Sequence, residues 1–308
     1  MRYNFRESKL HEILHNIHFF IYEILPPKYT ISKVFKNKFG KKLNWKNPTN
    51  VNEKINWLKL YSDTSLWSKC ADKLAVRDYI NDLGLADLLV PLYGFWKSPM
   101  DIDWNLLPQE FVLKANNGSG DVIVVRDKDS IDKEEIIKYY NKILSKPFGV
   151  FSGEPHYKKI VPFILAEQLL DSSKQPIESS SPTDFKVWCF HGKPYCIWVC
   201  FNRTKEHAYV ESHDLDWNYH PEHSVFTGHF LDGKGAYPKP VELGEMLDYA
   251  AKISSPFPEV RVDFYIIDHN IYFGEMTFTS NGGYMDFYTD EFLNEMGKQI
   301  DLTNERKR

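Results

Sequence analysis

Two acids on facing strands of one short hairpin are the first feature of this sequence that calls for a cation. In RVDFYIIDHNIYFGEMTF (261–278), two runs of β-branched and aromatic residues flank Asp268-His269-Asn270. Read as a three-residue turn, this segment sets Ile267 against Ile271 and Asp263 directly opposite Glu275. Cross-strand partners share a face, with Cβ atoms about 5 Å apart. Carboxylates that close repel each other in a half-buried sheet unless a proton or cation lies between them. The same register sets Arg261 opposite Thr277. An arginine, two acids and a hydroxyl suit Mg²⁺ and phosphate. A solvated sheet face carrying an Arg–acid network is the alternative at this point.

A second unit, FVLKANNGSGDVIVV (111–125), supplies what phosphate recognition needs. Two strand-like runs flank a flexible loop, so the segment predicts a hairpin. Lys114 offers a compact positive charge at the end of the first run. Asn116, Asn117, Gly118, Ser119 and Gly120 can lay backbone N–H groups over phosphate oxygens. The loop is not a Walker A motif, because the lysine precedes the glycines and a strand follows them. It does not match GxGxxG either. Glu167, in the apolar run LAEQLL, needs a partner if buried; an adenine amino group, a ribose hydroxyl or a salt bridge would serve. Lys186, in DFKVW, either reaches a phosphate or carries its ammonium out to solvent.

The elements that must position these groups are legible in outline. Helical spacing predicts helices over 8–25, 52–60, 70–83, 131–145 and 241–253. LLVPLYGFW (88–96) reads as a buried strand and turn, FILAEQLL (163–170) as a strand, and 172–183 as an exposed loop. DFKVWCF and YCIWVCF form a further hairpin. Mixed strands and helices place the chain in the α+β class. At 43% hydrophobic and 26% charged residues the composition is that of a folded enzyme, and a net charge of −4 gives no reason to expect nucleic acid. The aromatic residues are mostly core; the Trp, Tyr and His residues between 187 and 230 are candidates to line a sugar site. Cys70, Cys189, Cys196 and Cys200 form no CxxC pair and sit in or near apolar runs, which predicts buried reduced thiols and a cytoplasmic location.

The N-terminus lacks the pattern of a signal peptide, and IHFFIYEIL (17–25) is too short to span a bilayer. Residues 1–43 carry nine Lys/Arg against three Glu. A basic amphipathic start suits the inner membrane face or a partner such as a glycosyltransferase. Packing against its own domain is the commoner use of such a helix.

In their order along the chain, these pieces resemble the ATP-grasp superfamily. The fuller resemblance is to its teichuronopeptide-biosynthesis-like (TupA-like) branch, found in surface-polysaccharide gene clusters. It is carried by NPTNVNEKINWLKLY (47–61), CADKLAVRDYI (70–80), the glycine hairpin, DFKVWCFHGKP (184–194), HDLDWN (213–218) and the acidic hairpin. The resemblance implies an α+β ATP-grasp fold, with antiparallel sheets, packed helices and ATP held between two lobes. Its parts would be a basic helical extension (1–45), an N-terminal lobe (46–105), a glycine-loop lobe (106–170) and a C-terminal core (171–308). By the same resemblance Lys114 would hold phosphates, Asn116, Gly118, Ser119 and Gly120 would close over them, and Glu167 would mark the nucleotide hinge. Lys73 and Lys186 would be further nucleotide or phosphate contacts. Asp263 and Glu275 would bind Mg²⁺, and Arg261 would act on the acyl-phosphate. Many relatives carry Asn where Thr277 stands, and Asn281 is the candidate replacement ligand. The implied activity is ATP-dependent joining of a carboxylate, such as a uronic acid of a glycan or sugar nucleotide, to a small amine. A sugar kinase is one alternative. A glycosyltransferase using DID (101–103) or DLD (214–216) as a metal motif is the other.

Overall fold

The computed structural model describes residues 17, 19–177, 179 and 181–305. Most of the helix expected over 8–25 therefore lies outside the described residues; 19–24 are helical. Helix α1 (Pro27–Phe39) follows, then α2 (Val51–Tyr61), α3 (Ser65–Ala71) and α4 (Val76–Asp82). Next come β1 (Leu92–Trp96), the hairpin β2 (Phe111–Ala115) and β3 (Ile123–Val125), α5 (Lys133–Leu144) and β4 (Ile164–Glu167). The remainder is β5 (Asp184–Phe190), β6 (Lys193–Phe201), β7 (Ala208–His213), β8 (Phe230–Asp232), α6 (Leu243–Ser254), β9 (Val260–Ile267), β10 (Asn270–Thr277) and α7 (Asp290–Lys298).

Two sheets result. The smaller has the order β1-β4-β2-β3, the larger β10-β9-β5-β6-β7-β8, and among the strands of the described residues only the β7–β8 pair is parallel. All seven residues of β5 and seven of the eight in β9 are buried, which is why these strands read as near-continuous apolar runs rather than as alternating ones. Helix α6 packs on β5, β6 and β9 through Leu243, Met246, Ala250 and Ile253, spaced as one helical face. The smaller sheet has its own core, in which Phe111, Leu113 and Ile164 meet Ile136 and Tyr140 of α5. Helices α2 to α4 belong to the larger core: Val51, Ile55, Leu58, Trp67 and Ile80 share a cluster with Phe185, Val262 and Leu293.

Three expectations need correction. The helix expected over 70–83 is broken, with α3 ending at Ala71 and α4 starting at Val76. Asp72 Oδ1 accepts from the N–H groups of Leu74 (2.8 Å) and Ala75 (3.2 Å), a local alternative to helical pairing. The stretch 88–96 is not a buried strand. Its strand portion, β1, is an edge strand with Tyr93 and Phe95 38% and 51% exposed. Finally, Trp188 and Trp198 are core residues, not the lining of a sugar site.

All four cysteines are free and buried. Burial pushes the Cys70 and Cys189 thiols up to about 12 and raises those of Cys196 and Cys200. In the unfolded chain these thiols ionise near their ordinary value while the folded chain keeps its protons. For Cys70 and Cys189 the stabilisation is thus complete below pH about 8.5 and is lost as pH rises toward 12, by about 1.4 kcal/mol per pH unit for each of the two. Urea midpoints measured between pH 8 and 10.5 are expected to fall steeply, and less so in a Cys70→Ala/Cys189→Ala variant. Equal slopes in the two proteins would contradict this account.

Candidate active site

The acidic hairpin forms, by a route different from the one expected. Its turn has two residues, Asp268 and His269, both with positive φ (51° and 62°), as a type I′ turn requires. Pairing then runs regularly from Asn270↔Ile267 to Phe273↔Phe264. A bulge follows, Gly274 is skipped, and Glu275 pairs with Asp263 and Thr277 with Arg261. In a regular ladder Gly274 would oppose Asp263 and Glu275 would point to the other face. A Cβ on Gly274 would lie 2.9 Å from the Asp263 carbonyl oxygen, so the strands approach too closely there for a side chain.

The face so formed continues onto β5, where Lys186 pairs with Asp263. Lys186 Nζ donates to Asp263 Oδ2 (2.7 Å) and lies 3.2 Å from Asp184 Oδ1. Arg261 grips Asp263 with two parallel bonds, Nε to Oδ1 and Nη2 to Oδ2, both 2.7 Å. It also donates to Ser280 Oγ (2.6 Å) and Thr277 Oγ1 (3.1 Å). One of its five N–H donors, on Nη1, remains uncommitted among the described residues. Burial alone would raise the Asp263 carboxyl, but Arg261 and Lys186 outweigh it and hold the group below its ordinary value. Burial likewise works to lower Lys186, and Asp184 and Asp263 more than offset it, so its ammonium is held charged. Asp263 is 1% exposed, whereas the Glu275 side chain is 35% exposed, with Lys73 Nζ 3.6 Å from its Oε2.

Lys73 connects this face to the glycine hairpin. The break after α3 lets its backbone N–H donate to Asn116 O (3.0 Å), and Nζ donates to Gly118 O (2.5 Å). Beneath Gly118 lies Asp121, buried, with one oxygen that has no hydrogen-bond partner; a Cβ on Gly118 would come 2.9 Å from it. Ser119 and Gly120 are exposed. On the smaller sheet Glu167 is bound by Lys114 Nζ (2.5 Å) and lies 3.5 Å from Arg77 Nη1. Lys73, Arg77, Lys114, Glu167, Phe273 and Gly274 line one cleft, bounded by the smaller sheet and the acidic hairpin.

A family model for TupA-like ATP-grasp proteins matches residues 53–301. The chain belongs to this family. No curated protein matches the sequence. Solved structures resemble it distantly. A D-alanine–D-alanine ligase from Bacillus anthracis complexed with ATP shares 15% identity over 70% of this chain and 57% of its own, with a TM-score of 0.41. An L-amino acid ligase from Bacillus licheniformis shares 12% over 83% and 56%, with a TM-score of 0.47. The D-alanine–D-alanine ligase from Helicobacter pylori shares 12% over 83% and 68%, with a TM-score of 0.42. The chain thus spans a little over half the length of the first two proteins. Likeness at this distance transfers no substrate.

For an ATP-grasp chain, eight of the expected residues are brought together, Asn116 and Asn281 are engaged elsewhere, and Ser119 and Gly120 stand exposed on the loop. Lys73, Lys114, Gly118 and Glu167 lie at the cleft, and Lys186, Arg261, Asp263 and Glu275 on the adjoining sheet face. Asn116 is fully buried. Its backbone N–H donates to Phe163 O, its amide donates to Asp72 and Val161 O, and its Oδ1 accepts from Phe163 N. Nothing on it is left for a phosphate; it is a strut between the smaller sheet and the α3–α4 break. Asn281 donates to Tyr284 O inside the turn Ser280–Gly283, and Ser280 beside it is the residue that meets Arg261. Asp214 of the DLD triplet accepts from the N–H groups of Asp216 and Asn218 and from the Asn218 amide, and Asp103 of the DID triplet caps Asn105. Both triplets include local turn formers.

The sequence reading missed Asp184, Arg77, Ser280 and Lys59. Lys59 is buried and donates to Asn56 Oδ1 (2.8 Å), Ser152 O (3.2 Å) and Gly282 O, which ties α2 to the turn after β10. Burial lowers its ammonium to about 8. A signal existed: Asn52, Asn56 and Lys59 repeat at helical spacing along a face of α2 that is buried.

Proposed function

We propose that this chain is a Mg-ATP-dependent ligase that activates a carboxylate as an acyl phosphate and joins it to an amine. The observation that carries the reading is the Asp263–Glu275 pair, with Asp263 gripped by Arg261 and Glu275 joined through Lys73 (3.6 Å) to the cleft that holds Lys114 and Glu167. The donors fit Mg²⁺: they are all oxygen, Glu275 is accessible, and Asp263 Oδ1 spends one lone pair on Arg261. Mg²⁺ held by Asp263 and Glu275 would neutralise charge on the transferred phosphoryl group.

In the first step a substrate carboxylate oxygen attacks the γ-phosphorus, the bond to the bridging oxygen breaks, and ADP leaves. In the second the amine nitrogen attacks the acyl carbon, the bond from that carbon to the phosphate oxygen breaks, and the nitrogen gives up a proton. Lys114 and Lys73 hold phosphates in the cleft, and Glu167 accepts from the base or ribose. Arg261, fixed on four sides, presents its remaining N–H to oxygen that gains charge in both steps. The resemblance of the sequence to the teichuronopeptide-biosynthesis-like branch suggests a uronic acid of a bacterial surface polysaccharide, or its precursor, as the carboxylate donor.

The test is inorganic phosphate release from Mg-ATP with a panel of uronic acids, each with and without amino acids and amino alcohols. Release that requires both substrates supports the ligase. Turnover of a nucleotide sugar without ATP would replace it with a transferase, and a stable phosphosugar formed without amine would make it a kinase.

A further inference from the structure

The helical residues 19–24, with Leu25 N–H donating to Ile21 O (3.1 Å), are attached to the body through one side only. Phe19 and Tyr22 pack on Phe151, with ring centroids 5.8 and 5.3 Å away. Lys146 and Lys33 sit over the Phe19 and Tyr22 rings. The other side is a row of Ile17, Phe20, Ile21 and Ile24, which are 51%, 62%, 41% and 65% exposed. Their spacing is that of one helix face, and the sequence carries the same spacing back through Leu10, Ile13 and Leu14. The commoner use of such a helix, burial against its own domain, is taken here by two aromatic residues, and the aliphatic row is left over.

Charge says what covers that row. Of the 38 Lys/Arg and 42 Asp/Glu of the chain, nine and three fall in residues 1–43, so the rest carries ten more acids than bases. Lys28, Lys33, Lys36, Lys38, Lys41 and Lys42 are all exposed, and Glu23 is the one acid among residues 17–43. Two copies meeting through this segment would bring like charges together. An anionic lipid surface offers both an apolar layer for the aliphatic row and negative headgroups for the lysines. No helix among the described residues is long and apolar enough to cross a membrane. We propose that the N-terminal segment seats the protein on anionic lipid bilayers, with Ile17, Phe20, Ile21 and Ile24 inserted and the lysines of α1 and its C-terminal flank on headgroups.

The test uses the full chain in co-sedimentation with vesicles of phosphatidylcholine, alone or with roughly one-third phosphatidylglycerol. Binding to the anionic vesicles is expected at about 10-fold or more over the neutral ones, weakening as salt is raised. Phe20→Ser/Ile24→Ser and, separately, Lys36→Glu/Lys41→Glu are each expected to reduce it by about 10-fold. All four positions are exposed, so folding is retained. Equal binding by wild type and Phe20→Ser/Ile24→Ser, or no binding to anionic vesicles, overturns the proposal. A dimer that falls apart in that variant without any vesicle binding overturns it too, and assigns the row to a second copy. None of these readouts depends on turnover, so they stand apart from the ligase reading.

Discussion

Replacing Arg261 by methionine is expected to abolish ATP-dependent turnover and to remove about 3–5 kcal/mol of stability, while Glu275→Gln abolishes turnover at a stability cost of at most about 1 kcal/mol. The asymmetry follows from burial. Asp263 is 1% exposed and takes two of its three short charge-assisted bonds from Arg261. Without the guanidinium it keeps Lys186 alone, and Lys186 is shared with Asp184. A buried carboxylate left that poorly compensated costs far more than a surface pair. Glu275 is half-buried beside the cleft, 3.6 Å from Lys73 and 3.7 Å from Arg261, and an amide in place of such a partly solvated pair costs at most about 1 kcal/mol. In the proposed mechanism both variants lose groups that act on the reacting phosphate or its metal, which is worth about 10²–10³ in rate for one such contact.

The pH dependence of stability tests the Arg261–Asp263 contact directly. The Asp263 pKa is held below its ordinary value in the folded state, so its contribution is complete above that value and is lost as pH falls through the depressed pKa. Arg261→Met removes the group that holds Asp263 low and is expected to flatten the acid limb of the stability profile. Urea unfolding from pH 3 to 7 with phosphate-release assays checks both halves. An Arg261→Met protein as stable as wild type would sink the structural half. An active Glu275→Gln protein would sink the catalytic half.

What could be read from the residues depended on how local the determining interaction was. Asp263 and Glu275 were legible as facing acids because hairpin arithmetic needs only one extra residue between the paired runs, wherever it sits. Its location was missed. Asp268-His269 lacks the Asn-Gly signature of a two-residue turn, and the isolated glycine in IYFGEM, which is a bulge signal, was read as an ordinary paired residue. The α3–α4 break was hidden for the same kind of reason. CADKLAVRDYI has helical periodicity throughout, and the Asp72 carboxylate that interrupts it by accepting from Leu74 and Ala75 is itself bound by Asn116, 44 residues further on. That contact also took Asn116 out of the phosphate loop to which its place in the sequence assigned it. The smaller sheet's edge was misread because an apolar run cannot show which of its residues a neighbour will cover. The N-terminal row looked like core for that reason as well. Glu167 and Lys114 were found separately, and their mutual pairing across β4 and β2 is a tertiary fact.

The bulge gives the second large effect, and its logic fixes the order of three proteins. Gly274→Val places a Cβ 2.9 Å from the Asp263 carbonyl oxygen and 3.2 Å from the Tyr265 ring, in a part of the hairpin where Asp263 and Phe264 are buried. Tolerating the overlap costs about 1–3 kcal/mol. The way to relieve it is a slip to regular pairing, with residue 274 opposite Asp263 and Glu275 turned to the other face. Either outcome pulls the two carboxylates apart, and turnover is expected to fall by about 10² or more. Deleting Gly274 acts in the opposite sense. Phe273 still pairs with Phe264, Glu275 follows it directly, and the Asp263–Glu275 and Arg261–Thr277 pairs persist in an unbulged ladder. Only the cleft wall that Gly274 forms is lost. Phosphate-release rates are therefore expected to rank wild type first, the deletion second and Gly274→Val last. This reverses the ordinary rule that removing a residue from a strand harms a sheet more than enlarging a side chain does. A deletion variant less active than Gly274→Val would show that the bulge does more than set which face Glu275 occupies.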